Sequence, residues 1–195
     1  QTRYAFLPAA VVAGCVKAVE SFPGLHLALQ LKDELHAFNC PLANFAYPLW
    51  GIDPQLSVPL NPNVFNQTVK ILIYFENLVD SVTDLPSSLV NLCQTICMDQ
   101  ANVYLTDQGK VLQITNSQTS KFKSIDHLRR QLNLKPEEIA VFGDDWNDLE
   151  MLTGFPNGVV MGNADRELRC QIRYQTQSND EDGIAYALHT LLGLI

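Results

Sequence analysis

The chain has 195 residues and a formal charge of −8, with 13 Lys+Arg against 21 Asp+Glu. This length fits one large domain or two small ones, and 47% apolar with 17% charged residues excludes an intrinsically disordered protein. The acidic balance argues against a nucleic-acid-binding protein, because such proteins neutralise phosphates with Lys and Arg. We therefore expect a soluble globular α/β protein without a nucleic-acid partner.

The apolar runs and the cysteines exclude two further classes. The longest apolar run, residues 6–16, is interrupted by Pro8, whereas a bilayer-spanning helix needs about 20 residues. The five cysteines are an odd number without metal-ligand spacing, which predicts buried thiols rather than disulfides or a zinc site. Free thiols persist in a reducing compartment. We expect a cytoplasmic protein that has no membrane partner.

The first 116 residues predict an α+β arrangement. The predicted elements are, in chain order, a helix over 7–21, a hairpin over 25–38, a strand over 69–75, a helix over 85–96 and a hairpin over 102–115. Residues 39–66 contain five of the ten prolines, which predicts a long irregular connection or at most a short helix. Asp107-Gln108-Gly109 supplies the turn of the second hairpin.

The remaining residues have a different pattern of predicted elements, so we place a domain boundary near residue 116. The predicted elements are a helix over 121–134 capped by Ser120, buried strands over 139–142 and 158–161, helices over 149–153, 165–170 and 184–192, and a short strand over 174–176. Ile125, Leu128 and Leu132 share one side of the first helix. Strands alternating with helices predict βαβ units and a parallel sheet.

The densest acidic cluster, residues 143–148, reads Gly-Asp-Asp-Trp-Asn-Asp and follows a buried strand. Ligands bind at the carboxyl ends of parallel strands. Asp144 and Asp148 offer the hard oxygen ligands that suit Mg²⁺, and the Asn147 amide can donate to a phosphate oxygen. The alternative is that Asp148 caps a helix while Asp144 and Asp145 are solvated turn residues. The acidic residues alone leave both interpretations open.

Lys121 is placed unusually for a cation. It opens a predicted helix, where the macrodipole favours anions. A phosphate held by this lysine and by free backbone N–H groups would account for the placement, whereas the alternative is an ordinary exposed lysine. Metal-binding carboxylates and a phosphate-binding lysine on successive βα units together suggest phosphoryl transfer.

Residues 111–188 resemble the haloacid dehalogenase (HAD) superfamily in its Cof-like sugar-phosphatase branch. Ser120-Lys121 is similar to the third motif of that branch, and residues 143–152 are similar to its fourth, G-D-x-x-N-D-x-x-M-L. Val159–Ala164 and Ser178–Ala185 match two further signatures in the same order. The element order of residues 1–115 looks like the C2-type cap of this branch.

The resemblance implies a partial HAD-type parallel-sheet (Rossmann-like) core over residues 117–195, joined to an α+β C2-type cap over 1–116. It also implies Mg²⁺-dependent hydrolysis of a small phosphorylated metabolite, such as a sugar phosphate, through an aspartyl-phosphate. By motif match, Lys121, Asp144 and Asp148 would be catalytic. Lys121 and Asn147 would bind the phosphoryl group, Asp144 would bind the metal, and Asp148 would support either the metal or the lysine.

The chain departs from the family at its first two motifs. The D-x-D-G-T motif, which supplies the nucleophile, and the Ser or Thr of the second motif are not found in these residues, and neither Asp99 nor Asp107 fits them. We expect the chain alone to hydrolyse nothing. One alternative is that it forms half of a two-chain phosphatase, and another is that it is a non-catalytic HAD-derived binding or regulatory module.

The absent first motif also has a structural consequence. In the family its strand pairs beside the strand that here contains Val141. Without that partner, the Val141 strand becomes a hydrophobic sheet edge. We therefore expect the chain to fold poorly alone or to associate with another segment through this edge.

Overall fold

A computed structural model describes residues 4–40, 53–75 and 84–193. The chain divides into two compact units, Gln1–Gln118 and Thr119–Ile195. Among the residues so described, every helix is too short or too polar to cross a membrane.

In its described residues, the first unit contains two helices and a six-stranded sheet. The helices are α1 (Ala9–Glu20) and α2 (Ser87–Cys97), and the strands are β1 (Leu25–Leu31), β2 (His36–Phe38), β3 (Ser57–Pro59), β4 (Thr68–Phe75), β5 (Ala101–Thr106) and β6 (Val111–Asn116). The strand order is β3-β2-β1-β4-β6-β5. All neighbours are antiparallel except β2 and β3. The α+β arrangement and both predicted hairpins are confirmed.

Side chains alternate between the two faces of the sheet, and one of these faces packs into the main core of the first unit. Ile71 and Ile73 of β4 are fully buried in a core with Val12 of α1 and Leu89 of α2. Leu112 and Ile114 of β6 belong to the same core, because successive side chains of a strand point to opposite faces. The two helices therefore cover one face of the sheet.

Three thiols lie inside this core. Cys15 of α1 and Cys93 and Cys97 of α2 are fully buried. Hydrogen bonds with Cys93 and Cys97, followed by burial, raise the pKa of the Cys15 thiol above its ordinary value. These three cysteines therefore behave as core residues, as the sequence predicts. The prediction is wrong for Cys170, which is exposed, and Cys40 is only partly buried.

The proline-rich segment contains a strand that the sequence analysis did not predict. β3 pairs in parallel with β2, with Phe38 opposite Pro59. Proline lacks the N–H that a central strand needs, but β3 is the outermost strand of the sheet, where this loss is tolerated. The prediction of a wholly irregular connection is therefore wrong for the described residues 53–66, and its residues 41–52 lie outside the described ranges.

The second unit is a small parallel α/β arrangement. Its helices are α3 (Lys121–Gln131), α4 (Leu149–Gly154), α5 (Arg166–Arg169) and α6 (Gly183–Tyr186), and its strands are β7 (Ala140–Gly143), β8 (Asn157–Val160) and β9 (Tyr174–Gln175). The strand order is β7-β8-β9, and all pairs are parallel. The parallel sheet is confirmed. Within the described ranges β7 pairs with β8 alone, so its outer edge is unpaired there.

Helix α3 is shorter and less covered than its apolar spacing predicts. It ends at Gln131, and Asn133 follows with a left-handed φ of 56°, which stops the helix before the expected Leu134. Phe122 packs against Phe155 with ring centroids 5.2 Å apart. In contrast, Leu128 and Leu132 are 53% and 58% exposed. The predicted apolar side therefore exists, but only its N-terminal part, with Phe122 and Ile125, is even partly buried.

This uneven coverage predicts a difference between two leucines. We expect Leu132→Ala to lower the free energy of unfolding of the chain by less than about 1 kcal/mol, because little apolar surface is lost from the interior. Leu168→Ala should cost about 2–5 kcal/mol, since Leu168 is fully buried in the core of the second unit. Urea denaturation of both variants measures the two values. A large cost for Leu132→Ala would contradict the exposure of this side of α3.

Candidate active site

The acidic loop begins where β7 ends. Gly143 is the last residue of β7, and a Cβ placed on it would lie 2.5 Å from the Cβ of Asp148. Such a contact is too short for any side chain, so glycine is required for Asp148 to approach the strand end. Asp145 then opens a 3₁₀ turn, Trp146–Asp148, and its carboxylate accepts a hydrogen bond from the Trp146 N–H at 2.7 Å.

Asp148 is the central carboxylate of the loop. It is only 3% exposed. Its Oδ2 accepts hydrogen bonds from the backbone N–H groups of Asp144 at 3.2 Å and Asp145 at 3.4 Å, and its Oδ1 lies 2.5 Å from the Lys121 Nζ. Because both oxygens already accept hydrogen bonds, Asp148 is suited to fixing the loop and the lysine rather than to binding a metal ion.

Lys121 enters the site from the first turn of α3. Ser120 caps this helix by accepting a hydrogen bond from the Lys123 N–H at 3.1 Å. The Lys121 Nζ donates to Asp148 and, at 3.4 Å, to the Oδ1 of Asn147. The Lys121 side chain is 51% exposed. The helix start therefore fixes the backbone of Lys121, while a ligand can reach its ammonium group.

Asp144 is held by residues that the sequence analysis assigned no role. Its Oδ2 accepts a hydrogen bond from the Asn163 Nδ2 at 2.8 Å, and the Asn163 Oδ1 accepts one from the Asn179 N–H at 3.2 Å. Asn163 and Asn179 belong to the two signatures quoted above, which was the signal that could have found them. Together they orient one carboxylate oxygen of Asp144, and the Asp144 side chain remains exposed to solvent.

The loop that contains Asn179 has its own internal hydrogen bonds. The Ser178 hydroxyl and backbone N–H both donate to the Glu181 carboxylate, at 2.7 and 3.2 Å, and lower the pKa of Glu181 below its ordinary value. Residues 180–183 contain the letters D-E-D-G, but the 3₁₀ turn Asn179–Glu181 ends inside them. Asp182 follows this turn with a left-handed φ of 53°, and Gly183 begins α6. These residues do not end a buried strand, as a D-x-D-G-T motif would.

The structure brings the predicted site residues of the second unit together. Lys121 contacts both Asn147 and Asp148, and Asp144 is joined to Asp148 through its backbone N–H. Lys121 is therefore an ion-paired lysine, and its role in binding a phosphoryl group stays a prediction. Asp99 and Asp107 belong to the first unit.

The donor set fits a metal ion only in part. The described part of the chain contains no group of three or more His, Cys, Asp or Glu side chains arranged to hold one. Asp144 is an exposed carboxylate with one oxygen held by Asn163. It fits a Mg²⁺ site of one or two carboxylates completed by water and substrate oxygens. The sequence prediction of Asp144 and Asp148 as metal ligands remains a prediction, and these contacts favour Asp144.

Comparison with known proteins shows the family. The family model of the haloacid dehalogenase-like hydrolases matches residues 60–188, which is more than half of the chain. The chain belongs to the haloacid dehalogenase-like hydrolases. The resemblance found in the sequence motifs is thereby confirmed.

Individual HAD-like relatives share about a third of the aligned residues with this chain, over different lengths of it. The Bacillus subtilis protein YxeH is 29% identical over 176 residues, which cover 85% of this chain and 63% of YxeH. Phosphatase YwpJ of the same organism is 36% identical over 80 residues, covering 41% of this chain and 28% of YwpJ. The chain thus spans less than two thirds of the length of either relative.

Solved structures show the same HAD fold. The subclass IIB sugar phosphatase BT4131 has a TM-score of 0.77 with 18% identity, covering 98% of this chain and 69% of that structure. BT1666 from Bacteroides thetaiotaomicron has a TM-score of 0.72 with 20% identity, covering 99% of this chain and 68% of that structure. Both units therefore have counterparts in HAD-like hydrolases.

Proposed function

We propose that the chain forms the cap and the C-terminal part of the core of a Mg²⁺-dependent phosphatase that hydrolyses a small phosphomonoester, such as a sugar phosphate. The observation that carries this proposal is the Lys121–Asp148 ion pair beside Asp144 at the end of β7. Membership in the HAD-like hydrolases and the similarity to phosphatases support it. In this proposal the nucleophilic aspartate of the family would be supplied from outside these 195 residues.

Lys121 would bind the phosphoryl group. Its ammonium would neutralise the negative charge of the phosphoryl oxygens. Asp148 would act as a positioning residue, because the short contact with its buried carboxylate holds the ammonium in place. Asn147 would present its amide to the same group, since its Oδ1 already faces Lys121 and its Nδ2 is the donor that remains.

Asp144 would hold Mg²⁺. When bound, the ion would polarise a phosphoryl oxygen and neutralise charge. Asn163 would fix the orientation of the carboxylate through the hydrogen bond to its Oδ2, in the way that outer partners orient metal ligands. We also propose a reducing, cytoplasmic location, which the three thiols buried without disulfides support.

The test supplies the motif that these residues lack. The chain is assayed with p-nitrophenyl phosphate and Mg²⁺, alone and together with a polypeptide that carries a HAD strand ending in D-x-D-G-T. We expect no turnover from the chain alone and Mg²⁺-dependent turnover once the two are associated. Stable association without any turnover would contradict the phosphatase proposal.

A phosphatase assembled from two polypeptides is the second candidate. Two apolar features support this candidate, because an additional strand and helix could cover them. They are the outer edge of β7, which is unpaired within the described residues, and the exposed Leu128 of α3 with Leu132 just after it. This candidate predicts association without covalent linkage. Sedimentation of the mixture measures it, and turnover obtained only from a covalent fusion would argue for a single polypeptide.

A further inference from the structure

One side-chain amide joins the acidic loop to the loop that follows β9. The Asn163 Nδ2 donates to the Oδ2 of Asp144 at 2.8 Å, and the Asn163 Oδ1 accepts a hydrogen bond from the Asn179 backbone N–H at 3.2 Å. Asp144, Asn163 and Asn179 follow β7, β8 and β9 in turn. The carboxyl ends of three parallel strands therefore contribute to one series of hydrogen bonds.

The Asn179 N–H sets the direction in which the Asn163 amide faces. A backbone N–H can only donate, so the Asn163 atom that faces it has to be the oxygen. The Nδ2 then faces the Asp144 carboxylate, which can only accept when it is ionised. The opposite orientation would place the Asn163 oxygen against the carboxylate, with no hydrogen between them. The hydrogen bond that Asp144 receives thus depends on the position of Asn179.

The backbone at Asn179 is held by Glu181. The Glu181 carboxylate accepts hydrogen bonds from the Ser178 hydroxyl at 2.7 Å and from the Ser178 N–H at 3.2 Å. The Glu181 N–H donates to the Ser178 carbonyl oxygen at 3.1 Å. These contacts form a capping box around the turn Asn179–Glu181. Because the box fixes the residue before Asn179 and the residue two positions after it, it also fixes the direction of the Asn179 N–H.

The start of the same loop is fixed against the backbone beside Asn163. The Gly162 N–H donates to the Gln177 carbonyl oxygen at 3.0 Å, and a Cβ on Gly162 would lie 2.8 Å from the Ser178 backbone nitrogen. Glycine is required for this approach. Each hydrogen bond of an exposed side chain contributes little to stability by itself. Here, however, the two loops are already joined by their backbones, and the rotation of the Asn163 amide is the freedom that the side-chain contacts remove.

We propose that Glu181 is a positioning residue for Asp144. Its capping box directs the Asn179 N–H toward Asn163. The Asn163 amide then presents its Nδ2 to the Asp144 carboxylate. The inference rests on the proposed function in one respect, since its effect on catalysis requires Asp144 to hold Mg²⁺. That effect would reach the metal ligand through Asn163, in the way that outer hydrogen-bond partners act on metal ligands.

The first measurement does not depend on catalysis. NMR of the isotopically labelled chain follows the side-chain NH₂ group of Asn163, which is assigned by its loss in Asn163→Ala. We expect Glu181→Ala to shift this signal toward that of a solvated amide and to speed its exchange with water. Glu181→Gln should keep the signal in place, because glutamine also completes a capping box. An unchanged Asn163 signal in Glu181→Ala would overturn the proposal, whatever the chain catalyses.

The second measurement is metal affinity in the phosphatase assembled with its D-x-D-G-T segment. Mn²⁺ is the probe, and electron paramagnetic resonance measures the free ion without substrate. We expect Glu181→Ala to weaken Mn²⁺ binding by about tenfold, the lower end of the effect of outer partners of metal ligands. The KM for p-nitrophenyl phosphate at saturating Mg²⁺ should stay within about twofold, because Lys121 is unaltered. A merely structural role would lower the fraction of folded protein and leave the Mn²⁺ affinity of the remainder unchanged.

Asp182→Asn is the matched control. It removes the same charge from the residue next to Glu181, and asparagine tolerates the left-handed φ of 53° at this position. It should leave both the Asn163 signal and the Mn²⁺ affinity unchanged. If Asp182→Asn or Glu181→Gln weakens Mn²⁺ binding as much as Glu181→Ala, a general loss of charge is the cause and the positioning role is overturned. If the unaltered assembly binds no Mn²⁺, the proposed function fails, and the NMR signal alone shows whether Glu181 orients Asn163.

Discussion

Replacing Lys121 with Met is expected to reduce turnover of p-nitrophenyl phosphate by roughly 10²–10³-fold in the phosphatase assembled with its D-x-D-G-T segment. The Lys121 ammonium is the cation that contacts the acidic loop, at 2.5 Å from Asp148. It would stabilise charge on the phosphoryl group most strongly in the transition state. Methionine keeps the aliphatic stem and removes the charge, so kcat/KM measures the loss.

Lys123→Met is the matched control for this prediction. Lys123 lies on the same turn of α3, and only its backbone N–H takes part in the Ser120 cap. It should therefore keep turnover within about twofold of the unaltered protein. Thermal unfolding of both variants checks that they fold. Equal turnover of the folded Lys121→Met and Lys123→Met variants would remove Lys121 from the proposed machinery.

The candidate site could be predicted from the sequence because its members lie in short segments at the ends of predicted elements. A buried strand followed by acidic residues places carboxylates at the sheet edge, and Ser120-Lys121 marks the start of a helix. The partners of Asp144 were missed for the opposite reason. Asn163 reaches it through a long-range hydrogen bond, and Asn179 holds Asn163 through another. No periodic pattern links residues so far apart in the chain.

The fold shows the same division between local and long-range information. Periodicity predicted the helix that contains Leu128 and Leu132 and placed both on one side of it. However, periodicity does not say whether another element covers that side, and both leucines are more than half exposed. β3 was missed because it contains a proline, which a strand tolerates only at the edge of a sheet. The sequence of a three-residue strand does not show that the strand lies at an edge.

Asp148→Ala is expected to lower the free energy of unfolding of the chain by about 2–4 kcal/mol, because it leaves buried donors unpaired. The Asp148 carboxylate is the acceptor for the backbone N–H groups of Asp144 and Asp145, and it is only 3% exposed. Its loss also releases Lys121. Urea denaturation followed by tryptophan fluorescence measures the change, with an unaltered m-value as the check on two-state unfolding.

Two further variants separate the role of this carboxylate in folding from its role in holding Lys121. Asp148→Asn keeps one side-chain oxygen for the backbone donors, so it should recover about half of the lost stability while it still lacks the charge that fixes the lysine. Asp144→Ala removes an exposed carboxylate from the same loop and should cost less than about 1 kcal/mol. If Asp144→Ala destabilises the chain as much as Asp148→Ala, the buried carboxylate is not the structural centre of the loop. If Asp148→Asn restores turnover together with stability, the ion pair with Lys121 has no catalytic part, and Asp148 supports only the fold of the loop.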